Sequence, residues 1–171
     1  MTLTQIVFWT FSALAVLRAA MCITRRSPVA SALWLVQTLF ALAALFVVLD
    51  AQFVAVLQVL VYAGAIMVLF LFVIMLLNLG RPGPSDLKGP VGLAVATLLG
   101  GLLFFQLLRG ATPSAAGTPA GDTMAQLQQE QGIVGAVARP LFSQYLIPFE
   151  ITSVLLLAAI VGAVVLAKRK L

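Results

Sequence analysis

The residues best able to do chemistry in this chain stand inside apolar runs. Gln58-Val59-Leu60-Val61-Tyr62-Ala63-Gly64-Ala65 leads into an unbroken apolar stretch as far as Leu77. Polar groups in such a setting are costly unless they find partners, so they are normally buried in protein or turned to water. Gln58 and Tyr62 are four apart and share a helix face. Ala63-Gly64-Ala65 lets another backbone approach, or lets the helix itself deform. Two readings stay open: a helix–helix contact with one interfacial tyrosine, or a polar, deformable point on a proton or water route. Glu150 is the one acid well inside an apolar run. An intramembrane carboxylate is a functional candidate by default. Near a helix start it equally suits the positive dipole end, as an anchor, with Thr152 and Ser153 close enough to hydrogen-bond. Nothing resembles a nucleophile–base pair or a phosphate-binding loop.

The elements that must carry these groups follow from composition. The 171 residues are 63% hydrophobic and 9% charged, with a mean hydropathy of +1.15. A soluble domain carries about a quarter charged residues. Most of this chain's solvent must therefore be lipid bilayer. The net charge of +5 does not point to nucleic acid, because the basic residues end apolar runs, where they set orientation. Histidine is absent and Cys22 is the single cysteine. That excludes an internal disulfide and any Cys/His cluster for zinc, haem or iron–sulfur. No metal-binding or cofactor-binding residues are expected in this chain.

The fold expected is all-α, a single membrane domain over 1–171 with five transmembrane helices. They fall at about 3–22, 28–49, 52–79, 90–108 and 147–167. The N-terminal stretch lacks a basic start and is too long for a cleaved signal, so it is read as a retained helix. Arg18 near its end can snorkel to the headgroups. Ser27-Pro28 starts the second helix, with Ser as N-cap and Pro at the first position; Asp50 marks its exit. The third run is roughly 28 residues, about 42 Å as an α-helix. A hydrocarbon core is about 30 Å thick. This helix must tilt, protrude or contain an irregular turn. Arg81-Pro82-Gly83-Pro84-Ser85 is a loop. A polar connection spans about 110–146. Within it, Asp122 to Arg139 is the most polar stretch, with Gln126, Gln128, Gln129, Glu130 and Gln131, and is read as a short helix followed by an irregular connection. No internal repeat is visible, which argues against a transporter of two inverted halves.

Orientation follows from the basic residues. With five spans and a non-cytoplasmic N-terminus, Arg18, Arg25, Arg26, Arg81, Lys88, Lys168, Arg169 and Lys170 fall on the cytoplasmic side, together with the C-terminus. Only Arg109 and Arg139 lie opposite, beside Asp50, Asp122 and Glu130.

The run from Val61 to Leu76, Val61-Tyr62-Ala63-Gly64-Ala65-Ile66-Met67-Val68-Leu69-Phe70 onward, resembles the third helix of the subunit J family of bacterial NADH:quinone oxidoreductase. This is respiratory complex I; the mitochondrial counterpart is NADH dehydrogenase subunit 6. Arg25-Arg26-Ser27-Pro28-Val29-Ala30-Ser31-Ala32-Leu33 resembles the family's basic turn and second-helix start. Leu79-Gly80 closes the third helix in the family's way. Leu146-Ile147-Pro148-Phe149-Glu150-Ile151-Thr152-Ser153 resembles its last helix. Gly83 to Gln144 lies outside the likeness.

The resemblance implies five helices in the bacterial inner membrane, near the junction of the membrane arm with the quinone module. Its implied partners are the other membrane-arm subunits. It implies FMN, iron–sulfur clusters and quinone in other subunits, and a non-redox role here. It also implies a π-bulge near Tyr62 and Gly64, able to reset to α-helix and open or close a hydrated path. Met67 and Phe70 would then swing across that path, so the implied proton path or gate is Gln58, Tyr62, Gly64, Met67 and Phe70. Many relatives carry Glu where this chain has Gln58. An amide orients water but does not take up and release a proton at physiological pH. The competing readings are a homologous membrane subunit of a cation/proton antiporter or membrane-bound hydrogenase complex, and a stand-alone transporter or anchor.

Overall fold

Apolar segments with no water to bond their backbone groups satisfy them internally, as helices. In the computed structural model, which describes residues 2–77, 90–110 and 120–168, every described element is helical. α1 spans Leu3–Thr24, opening where the Thr2 N–H donates to Gln5 Oε1 at 3.2 Å. α2 spans Pro28–Val48, and the Ser27 hydroxyl accepts from the Ala30 N–H at 3.5 Å, the cap its sequence implied. α3 spans Gln52–Leu76, α4 Pro90–Gly110, α5 Ala120–Ser143 and α6 Leu146–Ala167.

α2 is the hub, with α1 on one side and the whole of α3 on the other. It buries Ala32, Ala41, Ala43 and Thr38, against Ala15 of α1 and Ala55, Ala63 and Met67 of α3. Lipid gives helices little hydrophobic reason to associate, so small side chains that allow close backbone approach do that work through dispersion. The buried Thr38 hydroxyl donates to the Trp34 carbonyl at 3.0 Å, which satisfies it within its own helix. Arg18 Nη1 donates to the Gln37 carbonyl at 3.4 Å, tying α1 to α2. The Arg25 guanidinium lies 5.8 Å from the Trp34 ring centroid, within cation–π range.

Among the described residues, four helices are long and apolar enough to cross a membrane: α1, α2, α3 and α6. Five were expected. α4 is helical over 21 residues, but its described apolar part is only Ala94–Leu107. Gly92, Thr97, Gly100, Gly101 and Gln106 dilute the run between Lys88 and Arg109. The polar connection also differs from expectation, because α5 occupies most of it. Ala, Met, Leu, Gln and Glu between Ala120 and Gln131 are good helix formers. The helix breaks at Gly132 (φ 76°, ψ 164°), a conformation that only glycine adopts without strain. The expected end of the third helix at Leu79-Gly80, the loop from Arg81, Lys88, and Arg169-Lys170 lie outside the described residues.

Candidate functional site in the third helix

α3 is not a uniform helix. It is α-helical over Gln52–Leu57 and Met67–Leu76, and between them Gln58–Ile66 forms nine residues of π-helix. The wide turns close on the Met67 N–H, which donates to the Tyr62 carbonyl five residues back and also to Gly64. Most π segments are single turns inserted in α-helices, frequently at functional sites. Of the alternatives that the length of this run left open, an irregular segment is present, and it includes the Tyr62-Ala63-Gly64 motif.

The register explains what the wide turns do. Against α2, α3 buries Ala55, Ala63 and Met67, and Val59 lines the groove alongside. These four recur every fourth position. In an α-helix a row spaced by four drifts about 40° per step, so Met67 would stand about 120° away from Ala55. Wider turns keep the row in line. In a purely α-helical register, Tyr62 and Ile66 would come within about 20° of the Ala55 face. Instead Tyr62 is 52% exposed and Ile66 50%, while Met67 is only 5% exposed. Resetting the π segment to α would thus exchange Ala63 and Met67 for Tyr62 and Ile66 against α2, and turn the helix beyond them.

Gly64 sits where that exchange is decided. A Cβ there would lie 3.2 Å from the Val59 carbonyl oxygen. Val59 is five residues earlier, the partner spacing that defines the π turn. Any side chain at 64 presses on the acceptor of the wide turn itself.

The structure brings some of the candidate residues together and separates others. Gln58 is half-buried at the head of the π segment, and among the described residues no side-chain hydrogen bond links it to Tyr62. Met67 is in the α2 contact, whereas Phe70 lines a separate groove with Cys22, Ala32 and Leu35. Glu150 is exposed on α6, a helix that among the described residues packs only on α5. It lies one residue past the first turn of α6. Thr152 and Ser153 donate to the Phe149 and Glu150 carbonyls at 2.7 Å rather than to the carboxylate. The residues that reading the chain did not connect are Asp50 and Gln128, whose backbone carbonyl and side-chain amide meet at 2.7 Å. The glutamine cluster was visible; its partner, 78 positions away, was not.

These features define a class: a multi-helix membrane protein in which α2 packs on both α1 and a third helix that carries a π segment. The chain belongs to the family described as NADH-ubiquinone/plastoquinone oxidoreductase chain 6, which matches it over residues 18–166. Among its relatives, NADH-quinone oxidoreductase subunit J of Pseudomonas aeruginosa is 37% identical, over 96% of this chain and 97% of the relative. The subunit J of Rhodobacter capsulatus is 34% identical over 99% and 84%. F(420)H(2) dehydrogenase subunit J of Methanosarcina mazei is 32% identical over 95% and 89%.

Proposed function

We propose that this chain is a membrane-arm subunit of a proton-translocating NADH:quinone oxidoreductase, and that α3 helps couple quinone reduction to proton movement by changing the register of its π segment. The observation that carries this reading is the nine-residue π-helix over Gln58–Ile66, which includes Tyr62-Ala63-Gly64-Ala65, where the chain resembles the family's third helix. A helix that couples two events needs two arrangements of similar energy. The exchange of Ala63 and Met67 for Tyr62 and Ile66 is a candidate for the second. It would move a bulky apolar face across a neighbouring water path, gating it by wetting and drying.

The chain's role is non-redox. Iron–sulfur clusters are held by several thiolates, and Cys22 is the single cysteine; the donor set does not fit such a cluster. FMN, iron–sulfur clusters and the quinone site belong to other subunits. Relatives named for NADH, NAD(P)H and F(420)H(2) enzymes share this subunit, so what it supplies is independent of the electron donor. Its partners are other membrane-arm subunits beside the quinone module. Its location is the bacterial inner membrane, with the N-terminus outside and the C-terminus in the cytoplasm.

Five spans fit this reading. Asp50 lies between α2 and α3, on the face that α3 leaves on its way across. Gln128 of α5 touches Asp50, which supports a return crossing between Leu77 and α5; α4 is the described helix available for it.

The test is purification of a tagged chain from its native membranes. Co-migrating flavin and iron–sulfur subunits are the expected result. Only cation/proton antiporter or hydrogenase subunits in the same particle would contradict the assignment.

A further inference from the structure

The glutamines of α5 cluster at 126, 128, 129 and 131, and the coupling function gives them no role. One of them reaches the entry of α3. The turn between α2 and α3 is a Schellman motif: the Ala51 N–H bonds to the Phe46 carbonyl at 2.9 Å and the Asp50 N–H to Val47 at 3.1 Å. Asp50 occupies the left-handed position of that motif, with φ 57°, where glycine is usual and aspartate is tolerated. The Schellman bonds use the N–H of Asp50, not its carbonyl. Gln128 Nε2 donates to that carbonyl at 2.7 Å. A carbonyl accepts only from a donor, so it is the amide nitrogen that must face it. α5 also packs on the first α-helical turns of α3, and no other described contact joins α5 to the α1–α3 group. Ala51, the N-cap of α3, makes no side-chain capping bond. The start of α3 thus lacks a side-chain cap, and a short hydrogen bond from a distant helix is placed beside it.

We infer that Gln128 is a positioning residue, which pins the entry of α3 so that a change of register in the π segment is taken up on the Met67 side. With the Asp50 end fixed, resetting the wide turns rotates Met67–Leu76 while Gln52–Leu57 stays in place. With that end loose, the same change dissipates as movement of the α2–α3 turn. The functional half of this inference rests on the coupling reading of α3; the pinning rests on the hydrogen bond alone.

The experiment uses the assembled complex carrying Gln128→Met, which keeps length but removes the donor, or Gln128→Lys, which restores one. Two quantities are read: deuterium uptake in peptides covering residues 49–58, and protons moved per quinone reduced. Gln128→Met should exchange about two- to ten-fold faster there, the worth of one net hydrogen bond, and should lower the proton ratio. Gln128→Lys should behave as the parent in both. Unchanged exchange in Gln128→Met overturns the pin. Equal loss in both variants overturns the donor role, and faster exchange with an unchanged proton ratio overturns the positioning role. If Gln128→Met does not assemble, rescue by Gln128→Lys supports the donor, and failure of both contradicts it. Failure of the coupling reading is seen separately, as full coupling in Gly64→Val, and leaves the exchange result to judge the pin.

Discussion

At the residue scale, two acids illustrate how position decides role. Glu150 is exposed on a helix that among the described residues packs only on α5, and the hydroxyls beside it bond to backbone carbonyls. Among the described residues no side-chain hydrogen bond is made to its carboxylate. Glu150→Gln should assemble and keep most quinone reductase activity and pumping; lost pumping in an intact complex would contradict this. Asp50 is different, because its backbone is held at φ 57°. Asp50→Asn should be tolerated. Asp50→Val places a β-branched side chain in the left-handed region at a cost of about 1–2 kcal/mol. A melt of the purified complex should show subunit dissociation at lower temperature for Val and not for Asn. Equal melting of the two would mean the turn is not strained. Glu150 was legible in the sequence as a candidate and Asp50 only as the exit of the second helix; the bond from Gln128 to Asp50 was not, since a contact across 78 positions leaves no local pattern.

At the element scale, α3 shows what a sequence can and cannot specify in lipid. Its excess length left tilt, protrusion or an irregular turn open, and Ala63-Gly64-Ala65 marked a place where the helix could deform. The register was hidden. A helix apolar all round has no polar face from which to read the buried side, and the row Ala55, Val59, Ala63, Met67 stands out only once α2 is packed against it. α5 was legible only in part: Asp122 to Arg139 read as a short helix followed by an irregular connection, and the helix in fact spans Ala120–Ser143 with a break at Gly132. Tyr62 carries an exposed ring on the outward side of the π segment. Tyr62→Phe should therefore be mild, removing at most one hydrogen bond worth about 0.5–1.5 kcal/mol. A loss of coupled activity as large as that of Gly64→Val would show the hydroxyl to be essential.

At the scale of the whole molecule, the chain is built to be surrounded. α1, α2 and α3 pack together, while among the described residues α4 packs on no other helix and α6 only on α5. No residue of α6 is buried. Without its partners the chain should aggregate in detergent or be degraded; a monodisperse, heat-stable monomer would contradict an obligate subunit. Reporter fusions after Arg26, Arg81 and Lys170 should read cytoplasmic, and those after Asp50 and Gly117 the opposite side. A reversed reading at any one of them breaks the five-span topology. The central claim is that the π segment couples quinone chemistry to proton movement, and Gly64→Val tests it most directly. Its Cβ would stand 3.2 Å from the Val59 carbonyl, and its branching stiffens χ1 at the hinge. Each 1.4 kcal/mol of bias against the wide turn shifts the two arrangements about tenfold. Quinone reduction and proton pumping should be measured on one purified preparation of the assembled variant. The expected result is an intact complex with impaired coupled activity. Full coupled activity in an intact Gly64→Val complex would contradict the claim and leave α3 as a packing element.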